Sequence, residues 1–310
     1  GDVPESSDAR EDAGRRSPTA GSCVRLLSSR SLNSPPASYV GAGQPLSQSS
    51  ENSIAVFAAT RWELQAVRRA LSADRIGIID GVRCYIGQQG NCTYWVIQTG
   101  VGPVVAGKVA EKFLKAQAMS LVMSTGFACA LVPAQVGDLI VGTAVSSVQN
   151  EGTWRMGNDR VLCNEAIRSD ILLAAQDARM AVRTGVVVSS GTVVWQAEEK
   201  RRLQCATEAT ALDMESAALA AAAQKHRVPM AIVRTVSDLV DEDLPLDFNL
   251  FLRPTGWLKG MQAIIVRPSS LAGLNRLRQQ SRVAADRLTD WFLCYAALAR
   301  IIHDDSSRNC

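Results

Sequence analysis

The sequence predicts an α/β domain: one three-layer unit with a central mixed, largely parallel sheet, followed by a helical C-terminal tail. Three observations predict it. Short apolar runs of strand length alternate with helix-period segments across residues 54–265. Those runs are apolar at consecutive positions, as strands covered on both faces must be. Beyond Arg267-Pro268 the alternation stops and the pattern becomes purely helical.

Composition bounds what such a chain can do. With 310 residues, 47% apolar and 20% charged, it can bury a full core without covalent staples. The formal net charge is only +3 and no Lys/Arg block stands out, so a nucleic-acid surface is not expected. Eight cysteines form no C-x-x-C pair, and two histidines are too few for a common zinc site, so no metal is expected. No apolar run reaches the ~18 residues of a membrane span. These features predict a cytoplasmic chain with reduced thiols.

Each element has its own local reason. Residues 1–53 are rich in Ser, Pro, Gly and Arg with Tyr39 as the only aromatic, and are expected to be a disordered leader. Order begins with the apolar run 54–59, a strand. A helix is expected over 63–73, with Leu64, Val67 and Leu71 on one face. Strands and turns fill 76–99, punctuated by Asp80-Gly81 and Gly90-Asn91. Gly100-Val101-Gly102-Pro103 turns into a helix over 104–117. A short strand at 121–124 ends in Thr125-Gly126, a strand follows at 139–145, and the polar stretch 147–164 reads as a loop. A helix at 167–179, a strand at 181–190 and a helix at 197–204 come next. A short extended piece at 211–213 leads into an Ala-rich helix at 215–225. The strand 229–235 is closed by Ser237-Asp238. The tail, 266–310, is expected to form one or two amphipathic helices, with Leu271, Leu274 and Leu277 at helical spacing among arginines.

In open α/β sheets, ligands collect at the carboxyl ends of strands. Four such ends carry acids or small polar residues: 60–63, 124–126, 213–216 and 237–238. This acid-rich, histidine-free set suits protonation of a leaving group and hydrogen bonding to hydroxyls better than Ser–His acyl transfer. Each acid also has an ordinary structural reading. Glu63 and Glu215 begin helices, where carboxylates complement the dipole, and Asp238 can cap a turn. Gly100-Val101-Gly102 is short of a phosphate loop, lacking a third glycine and a lysine.

The combination and order of these residues resemble the nucleoside phosphorylase and nucleosidase superfamily, in particular its methylthioadenosine/S-adenosylhomocysteine nucleosidase branch. Asp213-Met214-Glu215-Ser216-Ala217-Ala218 is similar to the family's ribose-binding segment. Val233-Arg234-Thr235-Val236-Ser237-Asp238 is similar to the strand that ends in its Ser-Asp pair. The resemblance implies an enzyme that cleaves the N-glycosidic bond of an adenine nucleoside. Asp238 would be the general acid on purine N7, oriented by Ser237. Glu215 would accept from ribose hydroxyls, Met214 would pack on the ribose, and Glu63 would position the nucleophile. Backbone groups around Thr125-Gly126 and Gly102 would border the site, and Trp195 would stack on the purine.

No metal or organic cofactor is implied, although phosphate is an alternative co-substrate. Glu63 favours water as nucleophile, whereas Arg61 lies near where phosphorylase relatives bind phosphate. The family's Gly-Ser-Ala-Gly-Gly is replaced by Gly126-Phe127-Ala128-Cys129-Ala130, which raises a second reading: a catalytically weak nucleoside-binding or interaction protein that kept the fold. The tail, Arg267-Pro268-Ser269-Ser270-Leu271 and the Arg-rich segment after it, is similar to the extension of hopanoid-associated phosphorylases. That implies a lipid-tailed nucleoside and peripheral membrane contact; packing on the domain is the alternative. The family also implies a homo-oligomer.

Overall fold

The computed structural model describes residues 52–245, Asn249 and residues 269–308. Nearly all of the expected leader, and the boundary expected at 265–266, lie outside the described residues. β1 (Ser53–Ala58) is buried throughout, and its side chains serve two layers in alternation. Val56 packs with Leu64, Val67 and Leu71, whereas Ala55 and Phe57 pack with Ile97 and Phe113 on the opposite face. α1 (Arg61–Leu71) starts two residues before the apolar periodicity does. Thr60 and Glu63 form a capping box: Thr60 Oγ1 accepts from the Glu63 N–H, and the Glu63 carboxylate accepts from the Thr60 N–H at 2.6 Å.

β2 (Arg75–Ile79), β3 (Val82–Gln89) and β4 (Cys92–Gln98) form an antiparallel meander, and β4 runs parallel to β1. There follow α2 (Pro103–Ala116), β5 (Leu121–Ala130), β6 (Leu139–Asn150), α3 (Glu165–Asp177), β9 (Val182–Ser190), α4 (Ala197–Thr207), β10 (Ala211–Asp213), α5 (Ser216–Lys225) and β11 (Met230–Leu239). The strand order is β10-β9-β6-β11-β5-β1-β4-β3-β2, with parallel pairs at the centre. α1 and α3 cover one face of this mixed sheet, and α2 and α5 the other.

The structure extends several of the expected boundaries. β5 does not end at Ser124. It continues through Phe127 to Ala130, because that half pairs in parallel with 234–239 of β11. The stretch 147–164 is not a loop. β6 runs on to Asn150, and two short strands, β7 (Trp154–Met156) and β8 (Val161–Leu162), pair back on it across a turn at Gly152, whose φ is +90°. The tail is one helix, α6 (Ser269–Arg308), and its apolar stripe is spent on the domain. Leu288, Trp291 and Phe292 are fully buried in the layer that holds Val56 and Leu64. Trp291 also donates its indole N–H to the Ile171 carbonyl at 3.3 Å. No described helix is long and apolar enough to cross a membrane.

Candidate functional site

β10 pairs in parallel with β9 and, through Ala211↔Ala130 and Leu212↔Cys129, antiparallel with β5. The strands β5, β11, β6, β9 and β10 therefore close on themselves. Closure brings the second half of β5 and the polar ends of β10 and β11 to the N-terminus of α1, around a cavity of about 210 Å³. Glu63, Met214, Glu215, Ser237 and Asp238 all line it, as does Asp213. Val101, Phe127, Val193 and Leu244 give it an apolar rim.

Glu63 is held by its local fold. It is buried, with Oε2 accepting from the Thr60 N–H and Oε1 from the Phe127 N–H at 2.7 Å. Gly126 lies beneath this carboxylate. Its φ is +131°, and a Cβ there would stand 2.2 Å from Glu63 Oε1 and 2.9 Å from an Arg234 nitrogen. Only glycine meets both conditions. Thr125 contributes its carbonyl, which accepts from Arg234 Nη1 at 2.9 Å.

Glu215 lies two residues beyond the end of β10 and accepts the Gly102 N–H at 2.8 Å. Gly102 has a φ of +100° and so turns its amide toward the carboxylate from the start of α2. Burial pushes the Glu215 pKa up to about 7. Arg234 pulls it down, whereas the Asp213 and Glu63 charges add to the rise. Asp213 is the anchor of this segment. Its carboxylate accepts from the Ser189 hydroxyl at 2.5 Å, the Ser216 hydroxyl, and the Glu215 and Ser216 N–H groups. Arg234 Nη2 completes the set at 2.8 Å.

Asp238 owes its place to a β-bulge. The register between β11 and β5 shifts between Val236 and Asp238, leaving Ser237 unpaired. The extra residue lets Ser237 and Asp238 both face the cavity, where strict alternation would turn one away. The Ser237 hydroxyl donates to Asp238 Oδ1 at 3.1 Å. The other oxygen, Oδ2, accepts from Lys200 Nζ at 2.8 Å. Cys129 is the register partner of Asp238 on β5, and burial raises its thiol pKa well above the usual range, with the Asp238 charge adding to the effect.

Of the expected site residues, Gly102, Thr125 and Gly126 do not line the cavity and meet the site only through Glu215, Arg234 and Glu63, and two more stand apart. Arg61 is exposed at the first position of α1, and it is absent from the cavity wall. Trp195 is half-buried outside it, its carbonyl accepting the Leu244 N–H at 2.8 Å. Thr192, Val193 and Val194 reach the cavity instead, and Phe127 is the aromatic in its wall among the described residues. Sequence reasoning gave no role to Arg234 or Lys200, the two cations behind the wall. Lys200 sits in a run of charges, Glu198-Glu199-Lys200-Arg201-Arg202, that reads as a solvated face. The available signal was spacing, since Ala197, Lys200, Leu203 and Thr207 form the buried stripe of α4.

Residues 53–254 match the family model of the Phosphorylase superfamily. The chain is 26% identical over 209 residues to the 5′-methylthioadenosine/S-adenosylhomocysteine nucleosidase of Haemophilus ducreyi, covering 64% of this chain and 90% of that protein. The nucleosidase of the same name from Glaesserella parasuis is 22% identical, with coverage of 64% and 91%. Among solved structures, the Helicobacter pylori methylthioadenosine/S-adenosylhomocysteine nucleosidase superposes with a TM-score of 0.60 at 20% identity, covering 78% of this chain and 98% of that one. The futalosine hydrolase of Helicobacter pylori gives a TM-score of 0.60 at 19% identity, covering 78% and 97%. These two likenesses are of fold.

Proposed function

The chain belongs to the phosphorylase superfamily and is an enzyme of its nucleosidase and phosphorylase class, and within that class we propose that it hydrolyses the N-glycosidic bond of an adenine nucleoside. One observation carries the choice of water over phosphate. Four carboxylates, Glu63, Asp213, Glu215 and Asp238, line the cavity, and no lysine or arginine does among the described residues. A phosphate dianion would find no free cation there and would face the Glu63 carboxylate, whereas a water molecule gains a proton acceptor. Of the two cations behind the wall, Arg234 is committed to Asp213, Ser124, Ser216 and the Thr125 carbonyl, and Lys200 to Asp238.

In this reading the adenine lies against Ser237 and Asp238, and the ribose over Met214 with its hydroxyls donating to Glu215. Asp238 gives a proton to N7 as the C1′–N9 electron pair withdraws into the base. Hydrogen bonds from the ribose hydroxyls to Glu215 strengthen as the sugar becomes cationic. Water adds to C1′ and loses its proton toward Glu63. Val101, next to the Gly102 amide that binds Glu215, sets an apolar side chain beside the ribose, which suits a thioether or lipid-like 5′ substituent. Cys84, Cys129, Cys163 and Cys205 are free thiols, which supports the cytoplasm as the compartment. The exposed Val104 and Val105 beside Val101 support a homo-oligomer, an element that a monomer mass in light scattering would remove.

The test is adenine release from methylthioadenosine, adenosylhomocysteine and a lipid-tailed adenosine, with and without phosphate. Free sugar formed at the same rate in both conditions is expected. Sugar 1-phosphate formed only with phosphate would replace hydrolysis by phosphorolysis. No release from any of the three would favour a binding protein obstructed at Phe127.

A further inference from the structure

Lys200 has no exposed side-chain surface, an unusual place for a lysine. Its ammonium spends its three protons on Asp238 Oδ2 at 2.8 Å, the Leu239 carbonyl at 3.1 Å and the Glu242 carbonyl at 2.9 Å. It comes from α4, 38 residues before the strand end it grips. Burial works against its charge, and Asp238 and Cys129 together more than offset that, so the pKa rises above that of an ordinary lysine. A buried ion pair is rarely kept for stability alone, because desolvation of both charges consumes most of the attraction.

The geometry separates the two oxygens of Asp238. Oδ2 is taken by the ammonium, and Oδ1 carries the Ser237 hydroxyl on the side that lines the cavity. Lys200 does not line the cavity and lies behind Asp238. The same ammonium also ties down the chain after β11 through the Leu239 and Glu242 carbonyls, and two residues further on Leu244 reaches the cavity rim. The groups facing the pair are the Cys129 thiol on β5 and the Ser237 hydroxyl on β11.

We infer that Lys200 is a positioning residue for the leaving-group step: it fixes Asp238 through Oδ2, leaves Oδ1 to carry the proton, and stabilises the carboxylate that Asp238 becomes when that proton passes to the base. This rests on the assignment of Asp238 as the acid. At rest the pair is carboxylate and ammonium, so Asp238 first takes one proton from solvent at Oδ1, and the step then balances without any further reactant. The O–H bond at Oδ1 breaks, the N7–H bond forms, the C1′–N9 pair goes to the base, and Lys200 keeps all of its protons. A fixed charge aimed at where negative charge develops acts on the transition state more than on bound substrate.

The experiment compares Lys200→Met with the native chain on two leaving groups. One is the adenine of methylthioadenosine. The other is p-nitrophenol on the same 5′-methylthio sugar, which departs without a proton. Expected is a kcat loss of ~10²-fold on the adenine substrate, the usual cost of removing one preorganised stabiliser. KM should change less than about tenfold, and the p-nitrophenyl substrate should lose less than about tenfold in kcat, since neither needs the transferred proton. Equal losses on both leaving groups would reduce Lys200 to a structural tie and overturn the inference, as would an unchanged kcat on adenine.

Should Lys200→Met fail to fold, the double variant Lys200→Met/Asp238→Asn buries no unpaired charge and replaces it. Its kcat on adenine should equal that of Asp238→Asn alone, because the two groups act as one device. A further tenfold loss in the double variant overturns the inference. A native chain that releases p-nitrophenol and not adenine defeats the acid assignment itself, and this inference with it.

Discussion

Arg234 and Lys200 are both fully buried cations held against a carboxylate at the end of a strand, yet the two pairs are built for different ends. The Arg234–Asp213 pair is closed. Both side chains are 1% exposed, and Asp213 is further saturated by two serine hydroxyls and two backbone N–H groups. Such an acid has nothing left to give a substrate. What it does is lock the backbone of 213–216, and so the direction of Glu215. The Lys200–Asp238 pair is open. Asp238 is 14% exposed on the cavity side, and only one of its oxygens meets the ammonium. A planar fork that closes a network and a point charge that leaves one oxygen free are the respective strengths of arginine and lysine.

The comparison predicts that stability resides in the closed pair and turnover in the open one. Removing Arg234 has the largest expected effect. Arg234→Met strands the Asp213 carboxylate at a cost of ~3–5 kcal/mol. For a domain of this size that lowers the melting temperature on the order of 10 °C in calorimetry. Arg234→Lys should recover little of this, because an ammonium cannot reproduce the fork; full recovery would break the comparison. Asp238→Asn comes next: kcat falls ~10²–10⁴-fold while the melting temperature drops less than half as far as for Arg234→Met. Equal thermal losses would mean that the two pairs are alike after all.

The smallest effect sharpens the role of Glu215, which the closed pair aims. Its pKa is raised from 4.5 to about 7, so the folded chain holds a proton there that the unfolded chain has lost. The resulting stability is fully present below about pH 4.5 and is lost as pH rises through about 7. Nucleoside affinity should run the other way, since only the ionised carboxylate accepts from both ribose hydroxyls. Across that window, urea midpoints should fall with rising pH while methylthioadenosine binding tightens, and Glu215→Gln should flatten both trends. Binding that weakens with rising pH would place the ribose elsewhere.

Much of this was legible in the chain. The apolar runs at 54–59 and 229–235 are strands, and the acids at 63, 213, 215 and 238 do converge on one cavity. Even the early start of α1 is written in Thr60-Arg61-Trp62-Glu63, a capping box that precedes the apolar period. What could not be read is where each polar segment finds a partner. The stretch 147–164 becomes two strands only because β6 extends alongside it, and 126–130 continues β5 only because 234–239 lies next to it. Trp195 stands outside the cavity for the same reason: which residues after β9 meet the cavity depends on how the sheet closes.

By itself, then, the sequence determined the alternation of strands and helices, the acidic character of the site and the order of its parts. Each of these is a property of neighbouring residues: apolar period, cap chemistry, and polar groups at strand ends. The tertiary structure alone decided that Ser237 would bulge and re-aim Asp238, and that Arg234 and Lys200 would become the buried partners of two of the acids. Those pairings span 21 and 38 residues along the chain (213 to 234 and 200 to 238) and form only when five strands close on themselves. A buried charge takes its partner from whatever the fold brings within hydrogen-bonding distance, and that distance is not written in local sequence.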